Sequence, residues 1–523
     1  MAEPGGTNIA ERPSARVVPA VLIGVVLIAL FVAPLRAELR FAIFPQDEGL
    51  LLVYPTEILR GAIPNHSFDS VYGIVNLWIL AGAFKIFGTS LVVERYVGIV
   101  YRFLLVASLV TLVWRRRGPV SAASSGAICI VLLTGTLGLL AFAWLAALAF
   151  CAVGFLLVDV GLDVGPGSAP KSVPLAVGGV AFGMAIGCRL DIGLAVVLAV
   201  GVLVWCRRPQ VRWLLGGVAI GLVPLLVNLV QAGPAAVIRD QIIEPVFVSG
   251  PYRRLPLSTL TWEELILLAL CVVVAVGSCV LGVAEVRRDP SAWAGVLLLT
   301  VGAFEVGILD QAFQRSDSLH LAFVACFVLP AALVIPIRGP RSAPSWLRSI
   351  VVPLIVGVVV VLLAWPYFGR IYWSSSTKPL APEETISNSG RSVVLGSSSD
   401  VTDLGVILRE LDARAKPGDR VFVGPSDLRT ANYDDTFIYF LLPDLDPGSY
   451  FLEMNPGVAN GTGSRLSSDI TSDRFLVLTS RWNTLAGASS VPPLGPDEPN
   501  RIVSSDFEPV VAAGPWTLYQ RKS

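Results

Sequence analysis

Asp47 and Glu48 stand side by side just after the first apolar segment, in Phe44-Pro45-Gln46-Asp47-Glu48-Gly49. A carboxylate at a membrane boundary is costly to bury alone, so it has a partner or a task. The plainest role for this pair is to end a span or cap a helix. Further along come Asp69, Arg95, the step Arg189-Leu190-Asp191, and Arg315, Asp317 and His320 in Gln314-Arg-Ser-Asp-Ser-Leu-His320. These types suit one chemistry together. A placed carboxylate takes the proton from a hydroxyl nucleophile, and arginines hold a phosphate by paired, charge-assisted hydrogen bonds. Local ion pairing at helix ends is the competing role for Arg189 with Asp191, and a stronger competitor for Arg239, Asp240, Arg253 and Arg254.

The elements that must position these residues are apolar. Hydrophobic residues make up 54% of the 523, charged residues 15%, and the mean hydropathy is +0.70. This is the composition of a polytopic membrane protein. A formal net charge of zero argues against a nucleic-acid partner. The 7 cysteines lie in or beside apolar segments, with no CxxC and no Cys/His ligand spacing, so they read as packing residues.

Residues 1–16 are polar and read as a disordered cytoplasmic tail. Val17–Leu35 is a retained anchor, with Arg12 and Arg16 keeping the N-terminus inside. A first outer loop, 36–94, follows. Its apolar stretch Val71–Phe87 is expected to lie flat at the surface, because crossing would force Arg115-Arg116-Arg117 outside. Ten further spans then alternate from Val92–Trp114 to Ile350–Trp365. They leave Lys171, Arg207-Arg208, Arg287-Arg288, Arg338, Arg341 and Arg348 on the inner side. The expectation is an α-helical polytopic membrane protein of about eleven transmembrane helices with a C-terminal extracytoplasmic α/β domain. The membrane module spans 17–367 and the soluble domain 368–523. In the latter, Asp400–Ala415 reads as a helix capped by Asp400, and Arg420–Gly424, Arg474–Thr479 and Pro515–Gln520 read as strands. No glycine-rich phosphate loop and no internal repeat stands out. This topology gathers the ionisable residues named above, and both histidines, His66 and His320, on the outer face.

The outer loop then carries a recognisable run. Asp47-Glu48-Gly49 leads to Ile58-Leu59-Arg60-Gly61-Ala62-Ile63-Pro64, to Phe68-Asp69, to Phe84-Lys85-Ile86-Phe87-Gly88 and to Glu94-Arg95. Over about Phe44 to Arg117 this resembles the glycosyltransferase-C superfamily, in the bacterial branch similar to protein O-mannosyltransferases and lipid A aminoarabinose transferases. The layout fits to about Trp365. The resemblance implies a sugar donor on polyprenyl phosphate, a catalytic acid in the first outer loop, and an acceptor that is an envelope glycan, lipid or protein. It makes Asp47 the implied base with Glu48 beside it. Asp69, Arg95, Arg189, Asp191, Arg315, Asp317 and His320 are the expected substrate-binding residues. The family's His-Pro-Pro or Glu-Lys-Pro step is Asp69-Ser70-Val71 here, and the acid that some members carry at the outer start of the fourth span is absent. No cofactor is expected, and a divalent metal is left open without being indicated.

The residues support that chemistry on their own account. A hydroxyl attacking an anomeric carbon must lose its proton, and a departing phosphate must be neutralised. The lipid tail of such a donor stays in the bilayer, which sets the site at the outer interface. One base without a covalent nucleophile implies inversion. Two other classes remain open: a membrane transporter of a polar or anionic solute, and a non-catalytic envelope assembly protein. A transporter places its charges nearer mid-membrane, on broken helices with repeat symmetry.

Overall fold

The computed structural model describes residues 14–134, 138–164, 169–207, 211–335, 346–380, 384–431, 433–483 and 494–523, with only the backbone given for 14–19. Arg12, Arg208, Arg338, Arg341 and nearly all of the 1–16 tail lie outside these residues.

Each of the eleven expected spans contains helix, although the one expected over Val120 to about Ala141 is helical over Pro119–Thr134 and not at 138–142. Among the described residues, seven helices are long and apolar enough to cross a membrane: Ala20–Glu38, Leu91–Arg117, Ala143–Leu162, Arg212–Ala232, Trp262–Arg288, Trp293–Gln314 and Leu347–Thr377. Four shorter apolar helices, Pro119–Thr134, Ser172–Cys188, Ile192–Arg207 and Ser318–Val334, supply the remainder. Their outward faces carry large apolar side chains such as Leu194, Val197, Trp205, Val230, Val273 and Leu362. Such a surface fits hydrocarbon, not water, and the protein is a multi-pass membrane protein. Glycines let two of the helices touch. A Cβ on Gly179 would come 2.1 Å from the Leu214 carbonyl oxygen, and one on Gly217 would come 2.0 Å from that of Ala176. Gly183 and Gly221, each four residues on, repeat the contact, as small-xxx-small packing requires.

The stretch expected to lie flat forms a helix, Ile74–Phe87, of 14 residues. At about 1.5 Å per residue it is about 21 Å long, short of a hydrocarbon core of about 30 Å. It is also wrapped by protein, since Ile74, Val75, Asn76, Leu77, Leu80 and Phe84 are buried.

The helix ends sort into two faces. On one, Arg115 and Arg116 at the end of Leu91–Arg117 pair with Asp159 and Asp163 at the end of Ala143–Leu162. Trp293 Nε1 donates to the same Asp159 at 2.9 Å, and Arg207 Nη1 reaches the Pro290 carbonyl at 2.7 Å. The carboxylates and arginines singled out above lie at the opposite ends.

The last helix runs to Thr377, past the boundary expected at Tyr367. A hairpin, β1 (Glu384–Asn388) with β2 (Arg391–Leu395), comes first. A mixed five-stranded sheet follows, in the order β4-β3-β5-β7-β6. Its strands are β3 (Arg420–Pro425), β4 (Asp446–Pro447), β5 (Phe475–Thr479), β6 (Phe507–Ala513) and β7 (Trp516–Arg521). β3 runs parallel to β4 and β5, while β7 pairs antiparallel with β5 and β6. The expected helix is Ser398–Asp412, and its cap is Ser397 in place of Asp400. The Ser397 Oγ accepts from Asp400 N at 3.2 Å.

The soluble domain shares its hydrophobic core with the membrane module. Leu50, Leu52, Val53, Tyr54 and Phe68 of the outer loop form one buried cluster with Val421, Phe437, Ile438, Phe440 and Trp516.

Candidate active site

Asp47 opens the helix Asp47–Leu59, and the sequence fixes how that helix meets the soluble domain. The residue after the acid pair must be small, because a Cβ on Gly49 would lie 2.5 Å from the Phe437 backbone nitrogen. Phe437 N donates to the Pro45 carbonyl at 3.1 Å, and Asp434 N donates to Gln46 Oε1 at 3.0 Å. This close approach brings the Tyr433 hydroxyl to Asp47 Oδ2 at 2.8 Å. Asp47 remains half-buried, with its other oxygen accepting no hydrogen bond among the described residues.

Glu48 turns the other way. It is fully buried and takes a two-pronged pair from Arg95, with Nε to Oε1 at 2.7 Å and Nη2 to Oε2 at 2.9 Å. Arg95 Nη1 continues to the carbonyls of Leu39 at 2.9 Å and Phe41 at 3.0 Å. Arg95 is 1% exposed. The pair therefore staples the chain before Asp47 to the start of the helix Leu91–Arg117. Neighbouring Glu94 accepts from Ala141 N at 2.6 Å and holds a second outer loop.

The other expected site residues form local pairs. Arg189 and Asp191 form an ion pair at 2.6 Å, which Gln311 Nε2 extends to Asp191 at 2.9 Å. Arg189 also lies over the Trp144 ring, 5.6 Å from its centroid. Arg315 Nε donates to Asp317 Oδ2 at 2.9 Å, and its Nη1 donates to the Arg253 carbonyl at 3.2 Å. Asp317 caps the helix Ser318–Ala331 through His320 N at 2.9 Å, and Oδ1 also meets His320 Nδ1 at 2.8 Å. Burial works to raise the Asp317 carboxyl, but the hydrogen bonds and charge of His320, with the Arg315 charge, hold it down to about 2. It stays ionised. A chain of rings from Tyr72 through Phe142 and Phe323 links this turn to the outer loop.

Glu453, from the soluble domain, lies between these groups. It is 4% exposed and 3.7 Å from the Arg253 guanidinium. Burial raises its carboxyl above the ordinary range. Arg253 draws it down, the Asp47 charge pushes it up, and Asn455 and Arg189 draw it down again. Asp47, Arg189, Arg253 and Glu453 thus share one electrostatic neighbourhood. Asp69 is set apart beneath Tyr450, beside Asp240 and Glu244. A cavity of about 540 Å³ opens beside Phe44 and Leu319, with Phe41 and Tyr367 on its wall and Arg370 and Lys378 at its rim.

The solved structure of ArnT from Cupriavidus metallidurans bound to undecaprenyl phosphate matches with a TM-score of 0.54 at 12% identity, over 96% of this chain and 97% of that one. The apo state of the same protein matches with a TM-score of 0.53 at 12% identity, over 97% and 98%. This chain has the ArnT fold. A weaker match, TM-score 0.47 at 11% identity over 89% of this chain and 68% of the other, is the Archaeoglobus fulgidus oligosaccharyltransferase complex with Zn and sulfate. No protein-family model and no curated protein matches the chain.

Of the expected site residues, Asp47 and Arg189 both act on the Glu453 carboxyl, Arg189 pairs with Asp191, Arg315, Asp317 and His320 pair among themselves, Glu48 and Arg95 form a buried pair, and Asp69 lies beside Asp240 and Glu244. The soluble domain's contribution, Tyr433, Asp434 and Glu453, did not come from sequence reasoning. The run Tyr433-Asp434-Asp435 offered a signal, two adjacent carboxylates beside an aromatic in an otherwise ordinary α/β segment. Asp435 proves to be structural, accepting from Trp482 Nε1 at 3.1 Å and Trp516 Nε1 at 2.7 Å.

Proposed function

We propose that this protein is an inverting glycosyltransferase that moves a sugar from a polyprenyl-phosphate donor to an extracytoplasmic acceptor, a glycan, lipid or protein of the cell envelope. The observation that carries the reading is the split of the acidic pair. Glu48 is consumed by Arg95, while Asp47 keeps an open oxygen and shares the surroundings of Glu453 with Arg189 and Arg253. In this reading Asp47 takes the acceptor's proton as the hydroxyl oxygen bonds to the anomeric carbon. The bond from that carbon to the phosphate oxygen breaks with its electron pair, and polyprenyl phosphate departs against the arginines. With one base and no covalent sugar–enzyme intermediate, the anomeric centre inverts. The cavity beside Phe44 and Leu319 has an apolar wall suited to an isoprenoid and two cations suited to its phosphate. The end-to-end likeness to a structure that holds undecaprenyl phosphate supports the same donor class.

Deleting the gene is expected to make one polyprenyl-linked sugar accumulate and one envelope glycoform disappear, both read by mass spectrometry of lipid extracts and envelope fractions. An unchanged lipid-linked pool would sink the reading.

We further propose that the N-terminus is cytoplasmic and the soluble domain extracytoplasmic, since the basic clusters share one face. With the native cysteines replaced, Lys416→Cys is expected to react with an impermeant maleimide on intact cells, and Lys171→Cys only after permeabilisation; both positions are exposed. The reverse pattern would place the site on the wrong side of the membrane.

A further inference from the structure

Beneath the candidate active site, one oxygen from each of Asp69, Asp240 and Glu244 lies within 4.8 Å of the others. The surroundings do not balance three carboxylates. Asp69 is 1% exposed, and neither of its oxygens accepts a hydrogen bond. Asp240 is fully buried and receives Tyr450 OH at 2.7 Å, Arg239 Nε at 2.7 Å and Asn65 Nδ2 at 3.2 Å. Glu244 is half-buried and reaches only Arg239, at 3.5 Å. That arginine, its side chain 50% exposed, supplies the cluster's cationic contact among the described residues. Burial raises Asp69 well above the usual carboxylate range, and the charges of Asp240, Glu244 and Glu453 raise it further against Arg239.

The same network holds two more buried oxygens without a donor, Asn228 Oδ1 and Gln241 Oε1. Both amides spend their nitrogens on Asn65 Oδ1, at 3.2 and 2.9 Å. A region this rich in acceptors and poor in donors lacks a positive centre. Calcium takes six to eight oxygens at about 2.3–2.6 Å, so ligands on opposite sides stand about 4.6–5.2 Å apart. Three oxygens within 4.8 Å of one another can all reach one such ion. Neither thiol nor imidazole belongs to the cluster, and an all-oxygen donor set selects hard cations.

We propose that Asp69, Asp240 and Glu244 form a binding site for a hard divalent cation, with calcium the best fit. Asp69 belongs to the first outer loop, and Asp240 and Glu244 to the wide-turn helix Arg239–Ser249 of the fourth. The soluble domain joins through Tyr450, whose carbonyl accepts from Asp69 N at 2.8 Å and whose hydroxyl donates to Asp240. The ion ties these three parts together behind Asp47. The site stands independently of the transfer reaction, because its test reads binding and stability.

Full-length protein in detergent, stripped with EDTA and desalted, is titrated with CaCl₂ by calorimetry and by thermal unfolding, with NaCl at matched ionic strength as the control. One saturable calcium per chain and a calcium-dependent rise in Tm are expected, with Mg²⁺ weaker. Asp69→Asn and, at the half-buried edge where folding is least at risk, Glu244→Gln are each expected to weaken calcium binding by at least about tenfold. Wild-type protein without a saturable calcium response would overturn the proposal. So would an Asp69→Asn variant that binds calcium as tightly as the parent, or one whose Tm in EDTA equals that of the calcium-loaded parent. The last result would make Asp69 simply a protonated acid.

Discussion

Asp47→Asn is expected to lower turnover by about 10²–10⁴-fold, the usual contribution of a positioned general base, while leaving Tm, protein level and donor affinity near those of the parent. Asparagine keeps the shape and can still accept from Tyr433, so the helix start and the contact with the soluble domain should persist. What disappears is the proton acceptor. Donor affinity separates the roles. The proposed mechanism gives the donor contacts to the arginines, so a loss of binding equal to the loss of turnover would make Asp47 a binding residue. Tyr433→Phe is the graded companion. It removes a hydrogen bond to a charged group, worth about 1.5–3 kcal/mol, and is expected to slow turnover by about tenfold or more. A purely structural tyrosine would lower Tm without slowing turnover per folded molecule.

The helices of the membrane module were legible because each carries its own signal, a run of apolar residues ended by charge. The strands Arg420–Pro425, Phe475–Thr479 and Trp516–Arg521 were legible for a similar local reason. The pairing of charges was not. Arg95 at the start of a span looks the same in sequence whether it faces a ligand or a glutamate 47 positions earlier. Only the fold turns Glu48 inward, because Gly49 lets the helix Phe437–Leu441 approach and so fixes which way the start of Asp47–Leu59 faces. The separation of 386 residues between Tyr433 and Asp47 hid the third element of the site. The boundary expected at 368 missed something similar. A hydropathy drop marks where the chain leaves the membrane, but the outer loop and the soluble domain bury their apolar side chains in one cluster. The domain that reads as an appendage forms one wall of the candidate site.

Glu48→Gln is expected to be the milder of the two acid-pair changes for turnover per folded molecule and the more severe one for stability. Arg95 is almost wholly buried, and its guanidinium balances an equally buried carboxylate. Removing one partner of such a pair leaves an uncompensated charge, at a cost of about 3–5 kcal/mol. Glu48→Gln keeps one acceptor but loses the charge, so Tm and the yield of folded protein are expected to fall sharply, with turnover per folded molecule falling far less than in Asp47→Asn. Replacing both partners by apolar residues, Glu48→Leu with Arg95→Met, removes the buried charge and is expected to recover part of that loss. Recovery should be incomplete, because the carbonyls of Leu39 and Phe41 then lose their donor. Adjacent residues thus acquire opposite signatures, activity without stability at Asp47 and stability with little activity at Glu48. A Glu48→Gln protein that unfolds like the parent yet turns over nothing would overturn this division, and would return Glu48 to the reacting atoms.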